Sequence, residues 1–206
     1  VFIIAALTTD GFIAKDENHS AFWTSKDDKK RFVELTKRAG VVVMGSRTFA
    51  TLPRPLKERV NIVYSRNKTV ESLTSKKSDS SKNSDSDAPT VTSITPAVTS
   101  STPAINSDAP AGTVEVTQAD PKALIESLEV RGFKEVAICG GSQIYNAFIK
   151  AGVVDYLYLT IEPLLFGDGI KLFTESMNVH LHLEKAKATP GGTVLLDYKV
   201  EYHHSH

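Results

Sequence analysis

Runs of consecutive apolar residues constrain the fold of this chain more than any other feature. The segments VVVM at residues 41–44 and VAIC at residues 136–139 are apolar at every position. Such runs are typical of strands covered on both faces, whereas a strand with one face in solvent alternates apolar and polar residues. Helical patterns lie between these strands. The sequence therefore predicts an α/β fold with a central, mostly parallel, twisted sheet flanked by helices.

The predicted elements follow from these patterns and from helix start and stop signals. Predicted strands cover residues 1–7, 41–44, 60–64, 113–117, 135–139 and 156–161, with an edge strand at 194–202. Predicted helices cover residues 26–38, 121–129 and 142–151, and a short helix begins near Ser46. We expect one domain over residues 1–206.

Residues 70–111 differ from the rest of the chain. They are mostly Ser, Thr, Asp, Lys, Pro and Ala, with almost no large apolar side chain. Such a composition buries too little surface to offset the entropy lost on ordering. We predict a low-complexity, disordered insertion within the domain. It acts either as a tolerated surface expansion, which loop physics favours, or as a tether for a partner.

Composition excludes several classes of protein. Basic and acidic residues are equal at 24 each, so we expect no nucleic-acid partner. The apolar run at residues 1–7 is too short to span a membrane, so we expect no membrane partner and a cytoplasmic location. The single cysteine, Cys139, excludes an intramolecular disulfide, and we predict no metal. We expect a small-molecule substrate and a monomer, with a dimer as the alternative.

Three predicted strands end in residues suited to a ligand, and ligands of such sheets bind beyond the carboxyl ends of the strands. Glycines at residues 140–141 precede a helix, Gly45 precedes Arg47 and Thr48, and Tyr64 precedes Ser65 and Arg66. Glycine allows close approach of the backbone, and a helix N-terminus or an arginine suits a phosphate. Each strand end also has a structural alternative. The glycines at residues 140–141 could form a tight turn without a ligand, Ser46 could cap a helix beside an exposed Arg47, and Arg66 could be an ordinary solvated charge.

Asp28 occupies the apolar stripe of the first predicted helix. It shares that stripe with Phe32, Leu35 and Ala39, whereas Asp27 and Arg31 fall on a charged stripe that we expect to be solvated. A carboxyl beside apolar neighbours loses solvation, which raises its pKa and suits a group that shares a proton. The alternative is structural, since Ser25-x-x-Asp28 also matches a capping box.

Taken together, ordered motifs resemble dihydrofolate reductase over essentially the whole chain outside the insertion. The resemblance implies a dihydrofolate-reductase-like fold and NADPH-dependent reduction of dihydrofolate to tetrahydrofolate. The motifs are IIAALTTDGFIAKDEN, Trp23 with Asp28 and Phe32, VVVMGSRTF, RPLKERVNIVYSR, VAICGGSQIYNAFI and YLYLTIEPLLFGDGIKLF.

The same resemblance implies roles for individual residues. The implied catalytic group is Asp28, which would bind the pterin and support its protonation, with Trp23 and Thr160. Arg59 would pair with a substrate carboxylate. The other implied substrate-binding residues are Ile4, Ala5, Phe32, Leu52, Leu56 and Cys139. The implied NADPH-binding residues are Ala6, Ile13, Gly45, Ser46, Arg47, Thr48, Ser65, Arg66, Gly140, Gly141, Ser142, Gln143, Ile144 and Tyr145.

Two further hypotheses stay open. The segment EPLLFGDGIKLF also resembles the reductase domain of riboflavin biosynthesis, which reduces a ribosylaminopyrimidine. That enzyme would need a site for a ribose phosphate but, on this reasoning, no inward acid. The other hypothesis is a non-catalytic module that binds a nucleotide or pterin, against which Asp28 and the two cofactor turns argue.

Ser46 stands where dihydrofolate reductases usually carry a basic residue, so NADPH preference rests on Arg47 and Arg66.

Overall fold

The computed structural model of the protein describes residues 1–20, 23–78 and 112–202. The strands are β1 Phe2–Thr8, β2 Phe12–Ala14, β3 Val41–Gly45, β4 Val60–Tyr64, β5 Val114–Thr117, β6 Ala137–Gly140, β7 Tyr156–Glu162, β8 Ile170–Lys171, β9 Val179–Ala188 and β10 Val194–Tyr202. The helices are α1 Lys26–Ala39, α2 Ser46–Thr51, α3 Val70–Ser78, α4 Pro121–Val130 and α5 Ser142–Lys150.

Eight strands form one sheet in the order β5-β4-β3-β6-β1-β7-β10-β9. The first six of these strands are parallel to their neighbours, and β10 and β9 are antiparallel. The predicted α/β class with a mostly parallel sheet flanked by helices is confirmed. Because the six parallel strands point the same way, their carboxyl ends meet at one edge of the sheet.

The apolar core lies on both faces of the sheet, as the continuous apolar runs predict. Alternate residues of one strand serve opposite faces: Val41 and Val43 belong to one core cluster, whereas Val42 and Met44 belong to the other. All four side chains are at most 1% exposed. This two-sided burial explains why residues 41–44 contain no polar position.

Capping residues set the ends of the helix that positions the site. The side chain of Ser25 accepts a hydrogen bond from the backbone N–H of Asp28 and so begins α1. Gly40 ends α1 in the left-handed conformation, with φ of 72°, which glycine adopts without steric penalty. Immediately afterwards β3 enters the core, so the end of α1 lies near the start of β3 and the beginning of α1 lies toward the carboxyl ends of the strands.

The structure corrects the predicted insertion at its beginning. Residues 70–78 form α3, and Val70 and Leu73 on one helix face are 2% and 6% exposed. This short face was overlooked because the segment that follows it is so poor in apolar residues. The rest of the predicted insertion, residues 79–111, lies outside the described part of the chain.

The antiparallel end of the sheet also differs from the prediction. Residues 194–202 do not form an edge strand, because β10 lies between β7 and β9 and pairs with both. The edge strand is β9, which the sequence analysis missed.

Across the three described ranges, no helix is long and apolar enough to cross a membrane.

Candidate functional site

A cavity of about 860 Å³ opens at the carboxyl ends of the parallel strands. It is lined by the ends of β3, β4, β5 and β6, by the start of α1, and by the loop that follows β2. The strand-end rule predicts a ligand site at this place in an open α/β sheet. Its volume is that of a site for small molecules.

The cavity brings together most residues that the sequence analysis assigned to a site. Asp28 and Trp23 line it, as do Ile4, Ala5, Phe32 and Cys139 from the expected substrate-binding set. All of the expected cofactor-binding residues line it as well. The predicted site residues are thus largely neighbours in space, although they come from segments far apart in the chain.

Asp28 lines the cavity and is 8% exposed. Burial raises the pKa of its carboxyl above the ordinary range, since a desolvated carboxylate loses hydration. Hydrogen bonds from Thr160 and Thr24 lower this pKa and oppose the shift, whereas the charge of Glu162 raises it further. The upward shift prevails, so a larger fraction of this carboxyl is protonated at a given pH than of an ordinary aspartate.

Both sequence interpretations of Asp28 hold in part. Its backbone N–H donates to the Ser25 side chain at 3.2 Å, as in a capping box. However, the backbone N–H of Ser25 donates to Oε1 of Glu162 at 2.8 Å, so the Asp28 carboxyl does not complete the box. The carboxyl is therefore available to the cavity.

Arg31 also differs from expectation, because it was predicted to lie on a solvated face. Its side chain is instead 12% exposed, forms an ion pair with Asp197, and donates to the backbone oxygen of Leu159 at 3.0 Å. Arg31 reaches across β7 to β10, and its charge lowers the pKa of Asp28. Helical periodicity places a side chain on a face, but it does not show which neighbouring strand that face meets.

Two glycine turns lie against each other on the opposite wall of the cavity. A Cβ atom on Gly141 would lie 3.4 Å from Oγ1 of Thr48, and one on Gly45 would lie 3.4 Å from Cγ1 of Ile144. Gly141 is the N-cap of α5 and has no side chain to bond the N–H groups of the first turn. The turn therefore leaves a close approach to the N-terminus of α5, which suits an anionic group.

Two arginines extend this wall toward solvent. Arg47 lines the cavity and forms an exposed ion pair with Glu17 from the loop after β2. Arg66 lines it at the end of β4, beside the buried Ser65. Exposed ion pairs contribute little stability, about 0–1 kcal/mol, so an incoming phosphate can compete with Glu17 for Arg47.

An aromatic group closes the other side. His19 stacks on Trp23 with ring centroids 6.4 Å apart, and Phe166 meets both rings edge to face. Asp10 fixes the neighbouring loop by accepting hydrogen bonds from the backbone N–H groups of Phe166 and Gly167. His19 and Trp23 line the same cavity as Asp28, and their flat rings suit a planar heterocycle.

Four expected site residues do not line the cavity. Thr160 is 1% exposed and acts on the site only through its hydrogen bond to Asp28. Leu52 and Leu56 pack against the core cluster that contains Phe49.

Arg59 is the clearest correction among these four. It is 5% exposed, and its guanidinium donates to Oγ1 of Thr36 at 2.7 Å and to the backbone oxygen of Lys57 at 2.8 Å. Its side chain therefore joins α1 to the segment before β4 and is not aimed at a substrate carboxylate.

Several lining residues were not predicted. Thr117 and Gln118 follow β5, and the strand-end rule that indicated Ser65 would also have indicated them. No sequence signal indicates that Glu17 or His19 lies over the cavity, because the path of a surface loop depends on contacts distant in the chain. Glu162, which contacts the start of α1, was likewise missed.

Comparisons with known proteins add to this geometry. A family model described as the RibD C-terminal domain matches residues 1–196. No curated protein matches the chain. Among solved structures, a pyrimidine reductase-like protein from Corynebacterium diphtheriae is 20% identical with a TM-score of 0.67, with 98% of this chain and 92% of that chain covered.

Two longer proteins share the fold. A diaminohydroxyphosphoribosylaminopyrimidine deaminase/5-amino-6-(5-phosphoribosylamino)uracil reductase from Thermotoga maritima is 14% identical with a TM-score of 0.67, over 96% of this chain and 55% of that one. RibD from Acinetobacter baumannii is 12% identical with a TM-score of 0.67, over 98% and 58%. At these identities the structural likeness shows the fold alone.

Proposed function

Because the chain belongs to the RibD C-terminal domain family, we propose that it is a pyrimidine reductase that reduces a ribosylaminopyrimidine with NADPH. The observation that carries the proposal is the sharing of one cavity by a desolvated acid, Asp28, and the glycine turn at Gly141. A reductase needs both: a proton donor for the substrate and a cradle for a dinucleotide. The expectation that a ribosylaminopyrimidine reductase has no need of an inward acid overlooked the proton that its substrate nitrogen gains.

Family membership corrects the earlier assignment. The match over residues 1–196 makes dihydrofolate reductase the wrong family and dihydrofolate reduction to tetrahydrofolate the wrong activity for this chain. The motifs around Trp23, Asp28 and Phe32 describe a cavity that both families of this fold can form. The expected role of Arg59 falls with that activity, because it presupposed the glutamate tail of a folate.

The proposed reaction needs a proton as well as a hydride. A ribosylaminopyrimidine is a glycosylamine, and its sugar ring opens to an imine between C1′ and the exocyclic nitrogen. NADPH, when bound, supplies a hydride to C1′ of that imine. The exocyclic nitrogen gains a proton as the C=N double bond becomes single, and the product is a ribitylamine. Asp28 is the acid in the cavity wall that we assign to this proton.

The raised pKa of Asp28 fits this assignment. Only the protonated carboxyl can donate, and a raised pKa increases the protonated fraction at a given pH. Thr160 and Thr24 hold the carboxyl in place, while burial keeps a larger fraction of it protonated. A site that only binds a ligand has no use for a desolvated acid of this kind, and this favours an enzyme over a binding module.

The residues opposite Asp28 fit a dinucleotide. The side-chain-free approach at Gly141 allows contact with the first turn of α5, and Thr48 lies next to it. We assign the cofactor's phosphates to this turn and to Arg47, Ser65 and Arg66. We assign the pyrimidine to Trp23, Asp28 and Phe32, which line the same cavity.

The test is turnover with the chain as it stands. The protein is mixed with NADPH and a ribosylaminopyrimidine, with and without its 5′-phosphate, and loss of NADPH absorbance is followed. We expect turnover with the pyrimidine and none with dihydrofolate. The Asp28→Asn variant should lose about 10²–10⁴-fold in kcat, the usual contribution of a positioned acid. The matched control is Asp27→Asn, since Asp27 is the exposed neighbour. Failure of the pyrimidine to react, or an equal loss in both variants, would refute the proposal.

A further inference from the structure

The first turn of α1 has an unusual division of hydrogen bonds. In a capping box, the acidic residue three positions after the N-cap returns its carboxylate to the N-cap backbone N–H. Asp28 is that residue for the N-cap Ser25, and its own N–H does bond the Ser25 side chain at 3.2 Å. The reciprocal bond is made by Glu162 instead, whose Oε1 accepts from the Ser25 N–H at 2.8 Å.

Glu162 is held firmly in this position. It is 3% exposed, and its second carboxylate oxygen, Oε2, accepts from Oγ1 of Thr193 at 2.9 Å. Its backbone oxygen accepts from Oγ1 of Thr9 at 2.8 Å. The side chain is thus fixed between the start of α1 and the turn before β10.

We propose that Glu162 is a positioning residue for Asp28, which takes over the capping bond at Ser25 and places a second buried negative charge beside the same helix turn. The first effect releases the Asp28 carboxyl toward the cavity. The second opposes ionisation of that carboxyl, because two buried carboxylates at one turn repel each other. The inference rests on the proposed function only in treating Asp28 as the proton donor.

The other groups that face Asp28 do not cancel this charge. Thr160 of β7 and Thr24 are neutral donors, and Tyr145 of α5 is neutral because burial raises its pKa well above the ordinary range. Arg31 of α1 is the cation that acts on Asp28, but it forms its own ion pair with Asp197 of β10. Glu162 forms no ion pair among the described residues, and its bonds come from Ser25 and Thr193.

The test measures the titration of Asp28 directly, without relying on turnover. Protein labelled with ¹³C at aspartate carboxyl groups is titrated by NMR, and the Asp28 signal is assigned by its absence from the Asp28→Asn variant. In Glu162→Gln the amide can still accept from Ser25 and donate to Thr193, while the charge is removed. We expect the midpoint of the Asp28 titration to shift downward in this variant.

Two controls separate charge from structure. Thr193→Val removes one hydrogen bond to Glu162 but keeps its charge, so the Asp28 midpoint should stay near that of the wild type. Glu115 lies on β5, the far edge strand of the sheet, and its buried carboxylate pairs with Arg131. Glu115→Gln removes that carboxylate and should also leave the Asp28 midpoint unchanged.

Each other outcome overturns the inference. The inference is wrong if the Asp28 midpoint is unchanged in Glu162→Gln or shifts equally in Glu115→Gln. It is also wrong if the Glu162→Gln protein does not fold, because the charge of Glu162 would then be needed for structure. The wild type's turnover of the pyrimidine tests the proposed function separately. A shifted midpoint without turnover would therefore refute the function and leave the inference standing.

Discussion

Thr160 on β7 donates a hydrogen bond to the carboxyl of Asp28 on α1. The two residues are 132 positions apart in sequence, and this bond joins the strand beneath the cavity to the helix beside it. A hydrogen bond donated to a carboxylate favours its ionised form. Thr160 therefore opposes the effect of burial on Asp28.

Removing this hydrogen bond should raise the pKa of Asp28 further. In Thr160→Val the side-chain volume is kept, and the ionised carboxyl loses a donor. We expect the decline of kcat/KM with rising pH to move to higher pH, because the acid stays protonated longer. The pH profile of turnover measures this, with Thr74→Val as the control, since the Thr74 hydroxyl bonds the Val70 backbone within α3 and Thr74 does not line the cavity. A profile that stays in place in Thr160→Val would contradict the bond's assigned effect.

The raised pKa of Asp28 also predicts how stability depends on pH. The folded-state pKa lies above the unfolded value of about 3.9, so ionisation is easier in the unfolded chain. The carboxyl therefore imposes no penalty below the unfolded pKa, and the penalty grows as pH rises through the folded pKa. Asp28→Asn removes this penalty. We expect the variant to exceed the wild type in free energy of unfolding at neutral pH, with the difference shrinking toward pH 3.

Urea denaturation at several pH values measures this difference. Asp27→Asn is the control, since it removes an exposed carboxyl from the same helix turn. A wild type that is more stable than Asp28→Asn at neutral pH would mean that the bonds from Thr160 and Thr24 outweigh burial.

The central sheet was predictable because its signal is local. Residues 41–44 are apolar at every position, and burial on both faces of β3 is the direct cause. The strand β9 was harder, since only one face of it is covered. The alternation from Val179 to Leu183 is a strand signal, but eight of the ten residues of β9 are exposed and none is fully buried. Strands at the margin of a sheet carry weaker patterns for this reason.

The location of the site was predictable from the sequence, but its substrate and reaction were not. Strand ends and the buried stripe of α1 indicated Asp28, Gly141 and Arg66, and all three line one cavity. The substrate could not be deduced from them, because any reductase of this fold needs an acid and a dinucleotide cradle near each other. Arg59 shows the same limit in another way. Its partner Thr36 lies 23 residues earlier, and no local pattern reveals that contact.

The position of Arg59 predicts a loss of stability without a loss of substrate affinity. Arg59→Leu removes the bonds to Thr36 and to the Lys57 carbonyl. Two hydrogen bonds from a charged donor contribute roughly 3–6 kcal/mol to the free energy of unfolding. The net loss is smaller, because the variant no longer buries a charged guanidinium. We expect a fall in the free energy of unfolding, measured in urea, and an unchanged KM for the pyrimidine. A rise in KM with stability intact would restore Arg59 to the substrate site.

The helix α3 gives the last prediction, which concerns the boundary of the insertion. Leu73 is buried against the second core cluster, so Leu73→Ala should lower the free energy of unfolding by about 2–5 kcal/mol. Val130→Ala is the control, because Val130 is 85% exposed on α4 and should change stability little.

Replacing residues 79–111 by a linker of roughly 12 residues should instead change stability by only about 1 kcal/mol, since loop entropy varies slowly with length. Thermal unfolding of the variants measures both effects. If the linker variant loses as much stability as Leu73→Ala, then residues 79–111 contribute packing of their own. In that case, the single domain that we propose extends through them.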